Sequence, residues 1–351
     1  MYKYRCRSWW TVRIITVFVV SAMAGCGKER TSVHRAFYEW RSRVSYTNQD
    51  MQTFGALSIN RLYLRLFDVQ WKKDRNIPYP ESTVHLAGQL PANVDIIPTI
   101  YVTNEVMKRV NEEQELDELA TNTANLIREM VEEMGIASFP EVQIDCDWTA
   151  GSRISYFRFL QLMADRFPDK TLSATIRLHQ IRYRVETGIP PVDRGMLMAY
   201  NVGQVTSPDE TNSIFTEEEV AKYLGTLGEY PLPLDAALPI FSWAVRFHFD
   251  RYASLTDNVG LQDLNAHKDF EPLGRTRFRA IRNTELHGTP VFAGDIIRVE
   301  VPDRGEVLSI AEDIAGDRHE PEITLALYRY DSAMVGRFGT DYLQELYETF
   351  R

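Results

Sequence analysis

From about residue 62 onward, apolar runs of strand length alternate with longer amphipathic stretches, and this alternation restricts the chain to a parallel-sheet α/β architecture. Leu62 to Phe67 reads as the first strand and ends at Asp68. Val94 to Val102 is the second, with Pro98 signalling a bulge or irregular pairing. A helix follows whose stripe is Leu116, Leu119, Thr123, Leu126, Ile127, Met130 and Met134, with Gly135 as its stop. Val142 to Ile144 is the third strand and runs into Asp145-Cys146-Asp147-Trp148; a helix over 152–166 comes next. Leu172 to Leu178, Met196 to Tyr200 and Ala236 to Val245 supply strands four to six, and Thr216 with Glu219 reads as a capping box between the last two. A polar stretch over about 251–292 is expected to be an excursion or lid. Ile296 to Val301 is the candidate seventh strand, followed by an acidic helix over about 304–315; Ile323 to Tyr328 is the eighth strand and Tyr342 to Phe350 the closing helix. Eight strands in βα alternation predict a closed (β/α)8 TIM-type barrel rather than an open doubly wound sheet, with an irregularity around strand seven.

The N-terminus is a targeting segment and stands outside that fold. Lys3, Arg5, Arg7 and Arg13 make a basic region, and Ile14 to Ala24 is an uncharged apolar run. That run is shorter than the roughly 20 apolar residues that cross a bilayer. Met23-Ala24-Gly25-Cys26 has the small residues of a lipobox, so residues 1–25 are expected to be a lipoprotein signal peptide and Cys26 the lipidated residue. Acyl chains on one cysteine suffice for stable anchoring. Residues 26–35 then serve as a short tether and 36–351 as the barrel. Gly27 offers no inner-membrane retention signal of the Asp type, which points to the outer membrane.

Removing residues 1–25 takes four positive charges from a chain of net charge −10, leaving −14. So acidic a body is unsuited to nucleic acid or anionic lipid by bulk electrostatics. Of three cysteines, Cys6 leaves with the signal and Cys26 is lipidated, so Cys146 has no disulfide partner.

A TIM-type barrel gathers its functional side chains at the C-terminal ends of its strands. Asp145 and Asp147 stand two apart at such an end and share one face if the strand continues. Neighbouring carboxylates push their pKa values apart, which lets one act as acid and the other as base or nucleophile on a glycosidic bond. The ordinary alternative has Asp147 capping the next helix and Asp145 paired with an Arg. Asp68, Arg177, His179, Tyr200, Asn201, Trp243 and Arg246 fall at other strand ends, and together they suit a sugar. Singly, Tyr200 also reads as a core ring, His179 as a structural histidine and Trp243 as barrel packing.

Phe37-Tyr38-Glu39-Trp40, Leu64 to Trp71, Gln143 to Thr149, Ser173 to Tyr183, Gly188 to Asp193 and Leu238 to Trp243 resemble the blocks of a group of Bacteroidota lipoproteins. The resemblance covers nearly the whole mature chain and brings no activity with it. That group is distantly similar to family 18 glycoside hydrolases, whose barrel carries Asp-x-x-Asp-x-Asp-x-Glu at a strand end, the Glu being the general acid. The matching positions here are Val142, Asp145, Asp147 and Thr149, so the proton donor of that family is missing.

The sequence contains no Gly-x-Ser-x-Gly elbow, phosphate loop or His-Glu-x-x-His zinc site. Cys146 lies between carboxylates that raise its thiol pKa. Asp145, Asp147 and His179 lack specific metal spacing, and neither metal nor cofactor is expected. Two functions remain open: an anchored glycoside-hydrolase-like barrel acting on a glycan, and a noncatalytic barrel that binds a glycan or an envelope partner. The first predicts a cleft holding two carboxylates within about 10 Å of each other; the second predicts an aromatic cleft with Asp145 and Asp147 both tied to Arg177 or Arg246.

Overall fold

The computed structural model describes residues 32–317 and 320–351, so the signal segment and Cys26 lie outside the described residues. Eight strands form the barrel: β1 Ser32–Glu39, β2 Arg61–Lys72, β3 Asp95–Val102, β4 Glu141–Asp145, β5 Thr171–Arg177, β6 Arg194–Met198, β7 Leu234–Pro239 and β8 Glu322–Tyr328. Each is parallel to its neighbours. β1 closes the cylinder by pairing Ala36 with Arg61 of β2 and Ser32 with Glu322 of β8. Helices including Glu113–Glu133, Arg153–Arg166, Glu217–Leu224, Arg304–Gly316 and Thr340–Thr349 pack outside. No helix among the described residues is long and apolar enough to cross a membrane.

The predicted barrel is present, but one of its eight strands was not read from the sequence, and the segment read as strand seven lies outside it. β1 begins at Ser32, inside the stretch expected to be a tether. Its Arg35 looks like a solvent residue, yet it is 3% exposed, because the carbonyl of Leu57 and the side chains of Gln344 and Glu348 take up its donors. The expected sixth strand over 236–245 is two strands. The chain leaves the barrel after Pro239, and Trp243–His248 pairs antiparallel with Ile296–Glu300, the segment read as strand seven. The excursion is therefore wider than 251–292. Its sheet runs in the order Arg251–Asp257, Trp243–His248, Ile296–Glu300, Arg277–Ala280, Phe270–Pro272, over a small core that includes Phe278, Leu286, Ile297 and Val299. Pro98 sits where irregularity was expected: it pairs with Leu64, and the β2–β3 register slips just beyond, between Arg65 and Phe67.

Parallel strands buried on both faces usually read as unbroken apolar runs. β4 departs from this, since Val142 and Ile144 alternate with Glu141, Gln143 and Asp145. The polar set lies inside the barrel, where each member finds a partner. Tyr38 donates to Gln143 Oε1 at 2.5 Å, Gln143 donates to Ser173 Oγ at 3.2 Å, and Ser173 donates to Glu141 Oε1 at 2.5 Å. Arg194 grips Asp235 through two bonds at 3.0 and 2.7 Å. A hydrogen-bonded polar interior of this kind fixes side-chain positions beneath the mouth.

Candidate functional site

At the exit of β4 the chain delivers Asp145, Cys146 and Asp147 in succession. Asp145 is 5% exposed and accepts a hydrogen bond from Thr175 of β5, Oγ1 to Oδ1 at 2.6 Å. Burial, and after it the neighbouring Asp147 carboxylate, push the Asp145 carboxyl up to about 6 against the opposing pull of Arg177 and Thr175. Asp147 is more open, and Arg177 at the end of β5 holds it through both oxygens, Nε to Oδ1 at 2.5 Å and Nη2 to Oδ2 at 3.2 Å. The ordinary alternative fails in both parts: the arginine goes to Asp147 rather than Asp145, and Ser152, not Asp147, stands at the N-cap of the helix Arg153–Arg166. Cys146 is buried, and burial first, then the two aspartates, raise its thiol pKa.

Thr149, the position at which the resemblance would expect a general acid, is exposed. Its amide donates to Ser152 Oγ at 3.0 Å, and Ser152 Oγ donates to Asn104 Oδ1 at 2.5 Å. The residue is built into the turn that opens the helix, and it carries no carboxyl group.

Facing these carboxylates is a continuous set of rings. Tyr38 of β1 stacks on Tyr63 of β2 at 4.9 Å between centroids and meets Trp40 edge-on at 6.0 Å. Trp40 lies 5.7 Å from Tyr328 at the end of β8, and Tyr328 stacks on Tyr200 at 4.9 Å. Phe241 packs edge-on to Tyr328 at 5.5 Å and to Trp243 at 5.2 Å. Tyr38, Tyr63, Tyr200 and Phe241 are buried, whereas Trp40, Tyr328 and Trp243 are partly exposed and present ring surface.

Arginines neutralise the remaining carboxylates of this end. Arg41 holds Glu39 by contacts of 2.8 and 2.5 Å, Arg65 reaches both oxygens of Asp68 at 3.3 Å while lying 5.6 Å over Trp40, and Arg329 pairs with Asp257 at 2.8 Å. Burial outweighs Arg65 and leaves the Asp68 carboxyl above its usual range.

Asp145, Asp147, Arg177 and Tyr200 therefore converge, with Asp68 on the adjoining rim. Arg177, His179, Tyr200 and Asn201 line a pocket of about 70 Å³. Asn201 holds a left-handed backbone at φ 56°, and its amide donates to the Ile214 carbonyl at 2.7 Å. His179 is exposed; partial burial and then Arg177 lower its pKa. Tyr200 is mainly a packing ring, its hydroxyl directed at Met198 Sδ at 3.3 Å. Trp243 reaches the edge of the ring set from the excursion and donates Nε1 to Glu300 at 2.7 Å. Arg246 does not belong to the mouth. It sits on the excursion strand, paired with Asp295 at 2.8 Å, because its run leaves the barrel at Pro239. Trp40, Thr175, Phe241 and Tyr328 were not singled out as site residues in the sequence, although Tyr328 stands at a strand end.

No protein-family model matches the chain, and no curated protein matches it. Solved structures do. The spore cortex-lytic enzyme SleL of Bacillus megaterium QM B1551 aligns with TM-score 0.55 at 12% identity over 90% of this chain and 74% of that one. The GH18 chitinase ChiB from the chitin utilization locus of Flavobacterium johnsoniae gives 0.53 at 11% identity over 91% and 94%. A plant class V chitinase mutant from Cycas revoluta in complex with (GlcNAc)3 gives 0.51 at 9% over 91% and 100%. What they share with this chain is the barrel. At these identities the likeness is one of fold.

Proposed function

We propose that this protein is a lipid-anchored barrel that binds a glycan at its mouth and does not cleave it by the family 18 route. The observation that carries this reading is the pairing at the β4 exit: Arg177 engages both oxygens of Asp147, and an exposed Thr149 stands where a proton donor is required. Glycosidic cleavage needs a general acid within hydrogen-bond reach of the leaving oxygen. The rings supply the binding surface. A pyranose lays its C–H face on an aromatic ring, and Trp40 and Tyr328 offer one beside the charged groups of Arg65, Arg177 and Asp147, which address hydroxyls. Attachment follows from signal cleavage before Cys26 and its acylation, with the outer membrane as the favoured site.

A second reading has one observation of its own. Asp145, with its carboxyl raised to about 6, holds a proton at mildly acidic pH, as a glycosidase acid does. Binding at the mouth is tested first. The mature chain carrying Cys26→Ser is titrated with host, bacterial and algal oligosaccharides by calorimetry, beside Trp40→Ala and Tyr328→Ala. Binding that weakens about tenfold in each ring variant is expected, since one aromatic contact is worth up to about 1.4 kcal/mol. Absence of binding, or affinities untouched by both substitutions, overturns the proposal.

A further inference from the structure

An apolar cavity outside the mouth lies between β2 with its hairpin partner Ile77–Glu81 and the helix Glu113–Glu133. It measures about 320 Å³, at the lower end of the range for small-molecule sites. Residues of β2 alternate in direction, so Trp71 lies on the opposite face from Asp68, whose charge is felt at Asp145. One strand therefore separates this cavity from the mouth.

Its lining has a definite chemistry. Phe67, Trp71 and Tyr79, with Pro78 and Pro80, form flat apolar walls, while Asn76, Asn122 and Glu118 bring polar groups to the same space. The walls are held in place. Lys72 Nζ sits 4.5 Å from the Tyr79 ring centroid and Arg109 Cζ sits 5.1 Å from that of Trp71. Asn76 is fixed at the hairpin tip in a left-handed conformation at φ 55°, its amide donating to the Lys72 carbonyl at 2.8 Å.

We infer that this cavity is a second saccharide site, taking a short neutral sugar segment independently of the mouth. An acyl chain would desolvate the amides and the carboxylate without returning a hydrogen bond. An anionic sugar meets Glu115 and Glu118 with no cationic side chain among the lining residues. A neutral pyranose satisfies both halves, its C–H face on the rings and its hydroxyls donating to carboxylate and amide oxygens. The inference shares the glycan class of the proposed function but uses none of the mouth residues.

The test titrates the mature Cys26→Ser chain with (GlcNAc)3, cellotriose and maltotriose, and with a trigalacturonate and a dodecanoate probe, using saturation-transfer NMR and calorimetry. The Trp40→Ala variant removes mouth stacking; Trp71→Ala and the exposed Glu118→Gln address the cavity, and the latter leaves the core intact. At least one neutral trisaccharide is expected to bind Trp40→Ala, with Kd rising about tenfold on adding Trp71→Ala and severalfold on adding Glu118→Gln. Failure of every neutral probe on Trp40→Ala overturns the second site, as does binding that ignores both cavity substitutions or a preference for trigalacturonate or dodecanoate. Binding insensitive to Trp40→Ala but lost with Trp71→Ala sustains the cavity and rejects the mouth.

Discussion

Glu141 is a carboxyl sealed inside the barrel at 3% exposure, with Ser173 as its hydrogen-bond donor at 2.5 Å and, among the described residues, no arginine paired with it. Burial, and then the charge of Asp235, raise it from 4.5 to about 7. Between those values the folded chain keeps a proton that the unfolded chain has released. The stability this group contributes is thus fully present below about pH 4.5 and is lost as pH climbs through about 7. At about 1.4 kcal/mol per pH unit, that interval corresponds to a loss on the order of 3 kcal/mol. Glu141→Gln keeps an oxygen for Ser173 and abolishes the titration. Urea unfolding of both proteins between pH 4.5 and 8.5 is expected to give nearly equal stabilities at the acid end and a variant more stable by about 2–3 kcal/mol at pH 8. Asp145 and the surface groups titrate in both, so their contribution cancels in the difference. Parallel curves across the range would refute the claim that burial raises the Glu141 carboxyl in the folded barrel.

Three further outcomes follow from specific contacts. Arg298 and Glu300 are both buried and paired at 2.6 Å, with Glu300 also accepting from Ser213 and Trp243, so Glu300→Ala should cost about 3–5 kcal/mol in unfolding free energy and shift Trp243 fluorescence. Replacing both partners as Arg298→Met/Glu300→Leu is expected to recover much of that loss; no recovery rejects the uncompensated-charge explanation. Arg177→Met removes the cation nearest the aspartates, so the Asp145 midpoint, read by carboxyl-carbon NMR, should move above about 6; a fall contradicts the described electrostatics. Cys26→Ser in the full chain should leave the protein in the soluble envelope fraction without incorporated fatty acid, and persistent acylation excludes the proposed anchor site.

The parts of this molecule that were legible in its sequence are those where burial and polarity vary with the period of the element. The Asp145-Cys146-Asp147 exit follows a strand whose outward residues are apolar, and Gly135 at φ 68° closes the preceding helix. β1 was hidden because His34 and Arg35 are polar in sequence, although Arg35 is satisfied by groups from residues far along the chain. The break at Ile240–Ser242 was hidden because apolar character runs straight through it; only the pairing of Trp243–His248 with Ile296–Glu300 shows that the chain has changed sheets. Arg246 was misplaced for that reason. The ring set was visible only in part, since Trp40 and Tyr328 stand 288 positions apart and meet through barrel closure.

The central claim is that the mouth holds a glycan and leaves it whole. The most direct measurement incubates the mature Cys26→Ser chain at pH 5 to 7 with the oligosaccharide it binds most tightly, counting new reducing ends by mass spectrometry, beside Asp145→Asn and Thr149→Glu. The account predicts intact ligand with the parent chain and with Asp145→Asn. Reducing ends released by the parent chain and abolished by Asp145→Asn would contradict it and make Asp145 the acid of a hydrolase.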